Sequence, residues 1–402
     1  MSQNNLDKIY EEFGKDICLF PFMAGFYSLV SAEPVVTPCS VVKFNNWGIK
    51  NESILESMNS DQWINLRHNF IHGSCHTTDL CKTCSLAEQN GGDSPRQLNN
   101  WYFVEHLKSD LATHIRTVID NKYQINRVLS LDFAPSNYCN YECIMCNPGA
   151  SSKRGTFEIK FMGKTIDRKF DNALTKDFYN ILEHVEILNF TGGETLLQQQ
   201  VHELIDYLID KNLAKNITIS LLTNVSKYPK DFEEKFKQFK NVFYTLSIDG
   251  VGDVIEYQRR GAKWKEVESN ALKLLNERGC VVNYVLTAVN VFSFDKFIEW
   301  ASQHSVDRIL ISLVFDHTKN LSVAVIPNEL KNSLVKELSM AKGKYSDYYA
   351  DLIDRVIDIL NKNEYNPKLL DKFVKQIQIE DLASKKKLIE VVPKWKPYFE
   401  QT

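Results

Sequence analysis

The run Ser136-Asn137-Tyr138-Cys139-Asn140-Tyr141-Glu142-Cys143-Ile144-Met145-Cys146 carries three cysteines in the spacing C-x3-C-x2-C. Three thiolates on one short loop can ligate three irons of a cubane, whereas a [4Fe–4S] cluster ordinarily takes four cysteines. The spacing therefore leaves one iron open to a further ligand. An open coordination position belongs to a reactive metal site, and a closed one to a structural site. With a fourth ligand from elsewhere in the chain, the same thiols would instead form a zinc site or a closed cluster.

A second group of cysteines precedes the first. Cys81-Lys82-Thr83-Cys84 is a C-x2-C pair followed by Glu88, Gly91, Ser94 and Arg96. Cys18 stands before Leu19-Phe20-Pro21-Phe22, Cys39 follows Thr37-Pro38, and Cys75 lies just upstream of the pair. A zinc knuckle built from Cys75, Cys81 and Cys84 with His72 or His76 is one reading of this group; an iron–sulfur site is the other. Cys280, at the start of an apolar stretch, reads as a core thiol. His68, His114 and His184 show no pairing that suggests ligation.

These loops need a scaffold. From Arg127 the chain alternates short apolar runs with helical stretches. Strands are expected at Val128–Phe133, Val185–Phe190, Asn216–Leu222, Val242–Ile248, Val281–Val289 and Arg308–Val314, with helices such as Leu174–His184, Leu197–Asp210 and Trp264–Glu277 between them. Such alternation predicts a parallel sheet with right-handed crossovers, and six units predict an α/β fold of the partial (β/α)6 TIM-like barrel kind. In barrels the chemistry sits at the C-terminal ends of the strands. There the sequence places the cysteine loop, Thr191-Gly192-Gly193-Glu194, Thr223-Asn224, Ser247 with Asp249-Gly250, and Asn290. Residues 1–110 read as a small cysteine-rich module and 111–126 as a helical linker. The barrel takes 127–325, and 326–402 forms a C-terminal helical extension that caps the barrel or makes an interface.

Composition narrows the classes. Among 402 residues, Lys plus Arg number 48 and Asp plus Glu 51, so the formal net charge of −3 gives no general pull toward nucleic acid or an anionic membrane. Met1–Lys15 is polar with no apolar core of signal-peptide length, and no apolar run approaches a membrane span. A cytoplasmic location is expected. Nine cysteines in a reducing compartment point to metal or redox chemistry more than to disulfides.

The triplet after a first strand, with Gly192-Gly193-Glu194 after the second, resembles the radical SAM superfamily. The stretch Asp249-Gly250-Val251-Gly252-Asp253 through Tyr257-Gln258-Arg259-Arg260-Gly261 resembles its twitch/SPASM branch. The resemblance implies that Cys139, Cys143 and Cys146 hold a [4Fe–4S] cluster at which S-adenosyl-L-methionine is reductively cleaved, giving a 5′-deoxyadenosyl radical that abstracts hydrogen from a substrate. Gly192, Gly193 and Glu194 would meet the amino group of the methionine. Thr223, Asn224, Ser247, Asp249 and Asn290 would lie near cofactor or substrate. Arg259 or Arg260 would pair the carboxylate, unless both are solvated helix-cap charges. Met145 stands where the family often has an aromatic residue near adenine, and makes a similar soft contact. The N-terminal group resembles a twitch-type segment placed before the barrel, with Cys18, Cys39, Cys81 and Cys84 holding an auxiliary [4Fe–4S] cluster and Cys75 as a spare or exchanging ligand. The family's glycine before the second cysteine is replaced here by Glu33-Pro34-Val35-Val36, so that turn must be made differently. A fully ligated second cluster suits electron acceptance, hence a two-electron oxidation of a small-molecule or peptide substrate, with a flavodoxin or ferredoxin as one-electron donor. Rival readings are a sulfur- or group-transferring enzyme, a peptide or protein maturase, and a zinc-stapled binding protein without catalysis.

Overall fold

The computed structural model describes residues 2–30, 34–40, 42, 53–73, 79–166, 174, 176–277, 279–314 and 316–400. Ten strands are formed among them: β1 (Ala24–Ser28), β2 (Val35–Thr37), β3 (Ser130–Ala134), β4 (Glu142–Cys143), β5 (Ile187–Phe190), β6 (Thr218–Thr223), β7 (Asn241–Ser247), β8 (Arg259–Arg260), β9 (Gly279–Leu286) and β10 (Ile309–Leu313). Eight of them make one sheet in the order β10-β9-β7-β6-β5-β3-β1-β2. Every neighbouring pair is parallel except β1 with β2 at the edge. The fold is thus mixed α/β with a mostly parallel sheet.

The six strands expected from the apolar runs are β3, β5, β6, β7, β9 and β10, in chain order across the sheet. In β9, Cys280, Val282, Tyr284 and Leu286 are buried, while Val281, Asn283 and Val285 are only half-buried on the other face, the alternation a strand imposes. Helices of eight or more residues are α1 (Ser2–Phe13), α2 (Asp61–Ile71), α3 (Lys82–Gln89), α4 (Pro95–His106), α5 (Leu111–Asp120), α6 (Ser152–Met162), α7 (Gln199–Asp210), α8 (Trp264–Glu277), α9 (Phe294–Gln303), α10 (Asn328–Lys342), α11 (Asp347–Lys362) and α12 (Pro367–Asp381). α8 buries Val267, Ala271 and Leu274, one face at helical spacing.

The sequence reading of a six-strand sheet needs correction, because β1 from the cysteine-rich segment joins the sheet parallel to β3 and β2 folds back on it. All five residues of β1 are buried, so the alternation that marks a half-exposed strand is missing. This segment is also more helical than its composition suggests, with α1 to α4 inside it. The helical linker expected over 111–126 is α5, which follows a break after His106 and is started by Asp110, whose carboxylate accepts from the Thr113 N–H at 3.3 Å.

The C-terminal helices pack onto the elements around the sheet. Trp395 is fully buried and its Nε1 donates to the Ala288 carbonyl at 3.0 Å. Glu380, at the end of α12, is also fully buried and reaches Arg154 and Arg260. Among the described residues no helix is long and apolar enough to cross a membrane.

Candidate active site: two gathered sets of cysteines

The loop between β3 and α6 carries the triplet at the C-terminal end of its strand. Ser151 caps α6, its Oγ accepting from the Arg154 N–H at 3.1 Å and donating to the Tyr141 carbonyl at 2.9 Å. Cys139 and Cys143 are buried and Cys146 is half-buried. The short ladder of β4 with β8 sets Cys143 opposite Arg259 and Glu142 opposite Arg260. Each sulfur has a polar neighbour. The Tyr141 N–H and Asn224 Nδ2 donate to Cys139 Sγ at 3.5 and 3.8 Å, a guanidinium nitrogen of Arg259 donates to Cys143 Sγ at 3.8 Å, and Cys146 Sγ meets the Asn147 carbonyl at 3.6 Å. Burial raises all three thiols, Cys146 to about 11; Cys146 and Cys139 raise Cys143 further, Cys139 raises Cys146, and Glu194 raises Cys139. Three thiols kept protonated by their surroundings, with N–H donors aimed at two of them, suit a cluster whose irons draw off their protons.

Gly192 and Gly193 are needed by the chain itself. At Gly193 (φ +55°) an added Cβ would lie 2.1 Å from the Tyr138 carbonyl oxygen, and at Gly192 (φ +76°) 3.0 Å from that of Ser136. The bare backbone lets the Gly193 N–H reach Ala150 at 3.0 Å and the Glu194 N–H reach Tyr138 at 2.8 Å, which locks this loop to the cysteine loop.

Glu194 is held by the chain's own donors. Its fully buried carboxylate accepts from Thr223 Oγ1 at 2.7 Å, the Asn224 N–H at 2.6 Å and the Leu196 N–H at 3.3 Å. Burial pushes its pKa up and these donors oppose that. Thr223 and Asn224 therefore anchor Glu194, and Asn224 passes the restraint on to Cys139. Asn290 is structural too, its Nδ2 donating to the Asp249 and Val285 carbonyls at 2.9 and 2.8 Å. Ser247 is buried at the end of β7, and Met145 packs half-buried against the core.

The two arginines divide. Arg259 Nε donates to Asp249 Oδ2 at 2.6 Å, and Asp249 Oδ1 accepts from the Val285 N–H at 2.8 Å. Arg260 meets Glu142 at 2.8 Å and Glu380 at 2.6 Å and lies over the Phe157 ring. Both are buried, so neither is a solvated cap. Arg154, at 2.9 Å from Glu380 and also stacked over the Phe157 ring, completes a tie from α12 to the cysteine loop. Nothing in local spacing signals this tie; its members are up to 226 residues apart.

Cys18, Cys39, Cys81 and Cys84 line one cavity of about 40 Å³ together with Pro21, Leu66, Phe70 and Arg96 among others. Burial raises Cys18, and Cys39, Cys84 and Cys81 raise it further; burial takes Cys84 to about 11. The backbone amides of Phe20 and Arg96 oppose this rise at Cys18 and Cys84. Among the described residues no three His, Cys, Asp or Glu side chains, in either cysteine set, are set to hold a single ion. His72 stacks on His68 at 4.0 Å, while Cys75 and His76 lie outside the described residues.

The residues that follow the pair frame this pocket. Glu88 takes Arg96 at 3.1 and 2.7 Å and Ser94 Oγ at 2.6 Å, Ser94 caps α4 in a capping box with Gln97, and Gly91 turns with φ +79°. One turn on, Asn100 accepts from the Leu19 N–H and donates to the Ile17 carbonyl, both at 2.8 Å. Arg96 and Asn100 thus hold the Cys18 segment from one helix face. Cys39 is delivered by β2, which pairs antiparallel with β1, and Thr37 Oγ1 donates to its carbonyl at 2.8 Å. Cys280 is buried, its Sγ 3.3 Å from the Leu274 carbonyl.

Residues 133–302 match the family model described as Radical SAM superfamily. Among solved structures, native anSMEcpe with bound AdoMet matches at a TM-score of 0.40 and 19% identity, over 62% of this chain and 66% of that one. Streptococcus suis SuiB, bound to S-adenosylmethionine or to the precursor peptide SuiA, matches at 0.38 and 15%, over 78% of this chain and 68% of its own. About a third of each relative's length is thus left unmatched. Likenesses this distant carry no residue-by-residue correspondence.

Proposed function

We propose that this chain, whose residues 133–302 carry the Radical SAM superfamily match, is a radical SAM enzyme with a second, fully ligated cluster in its N-terminal segment. The observation that carries the reading is the loop of Cys139, Cys143 and Cys146, gathered at a strand end with N–H donors on the sulfurs and locked by Gly192 and Gly193. A [4Fe–4S] cluster bound there supplies one-electron chemistry at an open iron, where S-adenosylmethionine is cleaved to start hydrogen abstraction from a substrate.

The chain's own residues position and shield. Glu194, Thr223 and Asn224 fix the wall of the loop, Asp249 and Arg259 back Cys143, and α12 closes the far side through Glu380. A cavity of about 220 Å³ opens beside the C-terminal ends of β9 and β10, between α3 and the barrel, lined by Leu86, Asp93, Leu98, Leu313 and Ser312 among others. It is a place for substrate next to the Cys84 helix. Cys18, Cys39, Cys81 and Cys84 complete a four-thiolate set, which leaves no open iron and suits electron acceptance in a two-electron oxidation. SuiB is bound to a precursor peptide in one of its structures; for this chain a peptide and a small molecule are both compatible with the cavity.

The test is iron and sulfide content after anaerobic reconstitution, with 5′-deoxyadenosine release measured under dithionite. About eight irons per chain, with nucleoside release that depends on Cys139, Cys143 and Cys146, is expected for two cubanes. Zinc in both sites and no release would sink the reading.

A further inference from the structure

We propose that Arg259 acts on the open cluster through Cys143, raising its reduction potential, and is not the partner of the S-adenosylmethionine carboxylate. The inference rests on the radical SAM reading of the triplet. Its ground is the direction in which the guanidinium is held. The β4–β8 register places Arg259 across from Cys143. Its Nε is fixed by Asp249 Oδ2 at 2.6 Å, and a terminal nitrogen points to Cys143 Sγ at 3.8 Å. Asp249 is fully buried and itself pinned by the Val285 N–H at 2.8 Å and, through its carbonyl, by Asn290 at 2.9 Å. The side chain therefore has little freedom to swing toward a ligand.

The neighbouring arginine makes the contrast. Arg260 is shared between the carboxylates of Glu142 and Glu380, whereas Arg259 has one carboxylate and a sulfur. Adding an electron to the cluster makes the triplet more negative. A buried cation with an N–H on the ligand sulfur favours that reduced state, since hydrogen bonds to sulfur and net local charge set cluster potentials. Asp249 opposes the cation, so the two residues carry opposite signs of effect. That gives a test which misfolding cannot imitate.

The experiment is an anaerobic dithionite-poised redox titration of the reconstituted full chain, followed by electron paramagnetic resonance. The open cluster is recognised as the signal that changes when S-adenosylmethionine is added. With Arg259→Gln the ratio of reduced to oxidised open cluster at a fixed potential should fall about tenfold or more, which is about 59 mV for one electron. With Asp249→Asn it should rise by a similar factor, and Arg259→Lys should stay within about threefold of wild type, since both effects scale with one unit of charge. Equal potentials in all variants would overturn the proposal. So would unchanged potentials with a tenfold or greater loss of S-adenosylmethionine affinity in Arg259→Gln, which would return the residue to the carboxylate. Should Arg259→Gln not load iron, the sign of the Asp249→Asn shift decides. A wild-type chain that assembles no cluster at the triplet would remove the underlying reading instead.

Discussion

The two cysteine sets solve opposite problems with the same amino acid. The triplet comes from one loop of eight residues, and its surroundings keep that loop open: glycine backbones against Tyr138, a buried Glu194 behind it, and Arg259 aimed at a sulfur. The N-terminal quartet is collected from three separate segments, a strand-leading turn, the end of β2 and the start of α3. Its arginine is a strut: the Arg96 guanidinium donates to Glu88 and to the Lys15 and Ile17 carbonyls. On the reading proposed above, a reactive site is built locally and tuned by charge, and a closed one also fastens distant parts of the chain.

The sharpest way to break this comparison is to remove each set. Replacing Cys139, Cys143 and Cys146 with Ala is expected to abolish 5′-deoxyadenosine release and remove about four of about eight irons. Replacing Cys81 and Cys84 should also remove about four irons but leave S-adenosylmethionine cleavage measurable, with substrate turnover lost. Loss of cleavage in both would mean that the two sites do not act separately. Next comes Gly193→Ala. A Cβ 2.1 Å from a carbonyl oxygen at φ +55° cannot be absorbed by a side-chain shift, so a destabilisation of about 2–4 kcal/mol is expected. Iron should be lost from the triplet while the quartet stays loaded. Retention of all iron would show that the loop lock is dispensable.

Much of this was legible in the sequence, for reasons that also explain what was not. The six barrel strands were readable because strands covered by helices form apolar runs spaced by helical stretches. The cysteine loop then had to fall at a strand end. β1 was hidden because its buried run Ala24-Gly25-Phe26-Tyr27-Ser28 is too short and mixed to read as an apolar strand, and α12's role by distance: Glu380 meets Arg154 from 226 positions away, and no local pattern reports such a pairing. The glycine pair and Glu194 were visible as residues, yet whether they face a ligand or the chain's own loop depends on the path of residues 134–150. Spacing alone does not contain that path.

The strut reading of Arg96 makes a smaller prediction. Arg96 and Glu88 side chains are 7% and 20% exposed, and breaking one partner of a buried pair costs about 3 kcal/mol. Glu88→Gln should therefore lower stability in urea by about 2–3 kcal/mol and weaken loading of the quartet, without moving the potential of the triplet cluster. A shifted triplet potential would erase the distinction between strut and charge.

The smallest effect tests whether the two regions share one folding unit. Asp132 lies on β3, opposite Phe26 of β1 on one side and Asn189 of β5 on the other, so it sits at the seam between the cysteine-rich segment and the barrel. Leu131 and Phe133 are buried in the core, which leaves Asp132 half-buried on the opposite face of the sheet, where Asn189 Nδ2 donates to it at 2.7 Å. Burial pushes its carboxyl up to about 6, and the Asn189 bond only partly opposes this. A carboxyl whose folded pKa is raised gives its full support below the unfolded value near 4 and loses it as pH rises through about 6. The folded state thus carries a penalty of up to about 3 kcal/mol at neutral pH. Asp132→Asn keeps an oxygen for Asn189 and removes the charge. Its chemical-denaturation midpoint should rise at pH 7.5 by about 1–3 kcal/mol in stability, with little change at pH 4.5. If β1 and β3 unfold together, protease resistance of the N-terminal segment and loss of the barrel's tertiary signal should shift by the same amount. A shift in the barrel alone would make the quartet-bearing segment an independent unit laid against the sheet, despite the ladder that joins them.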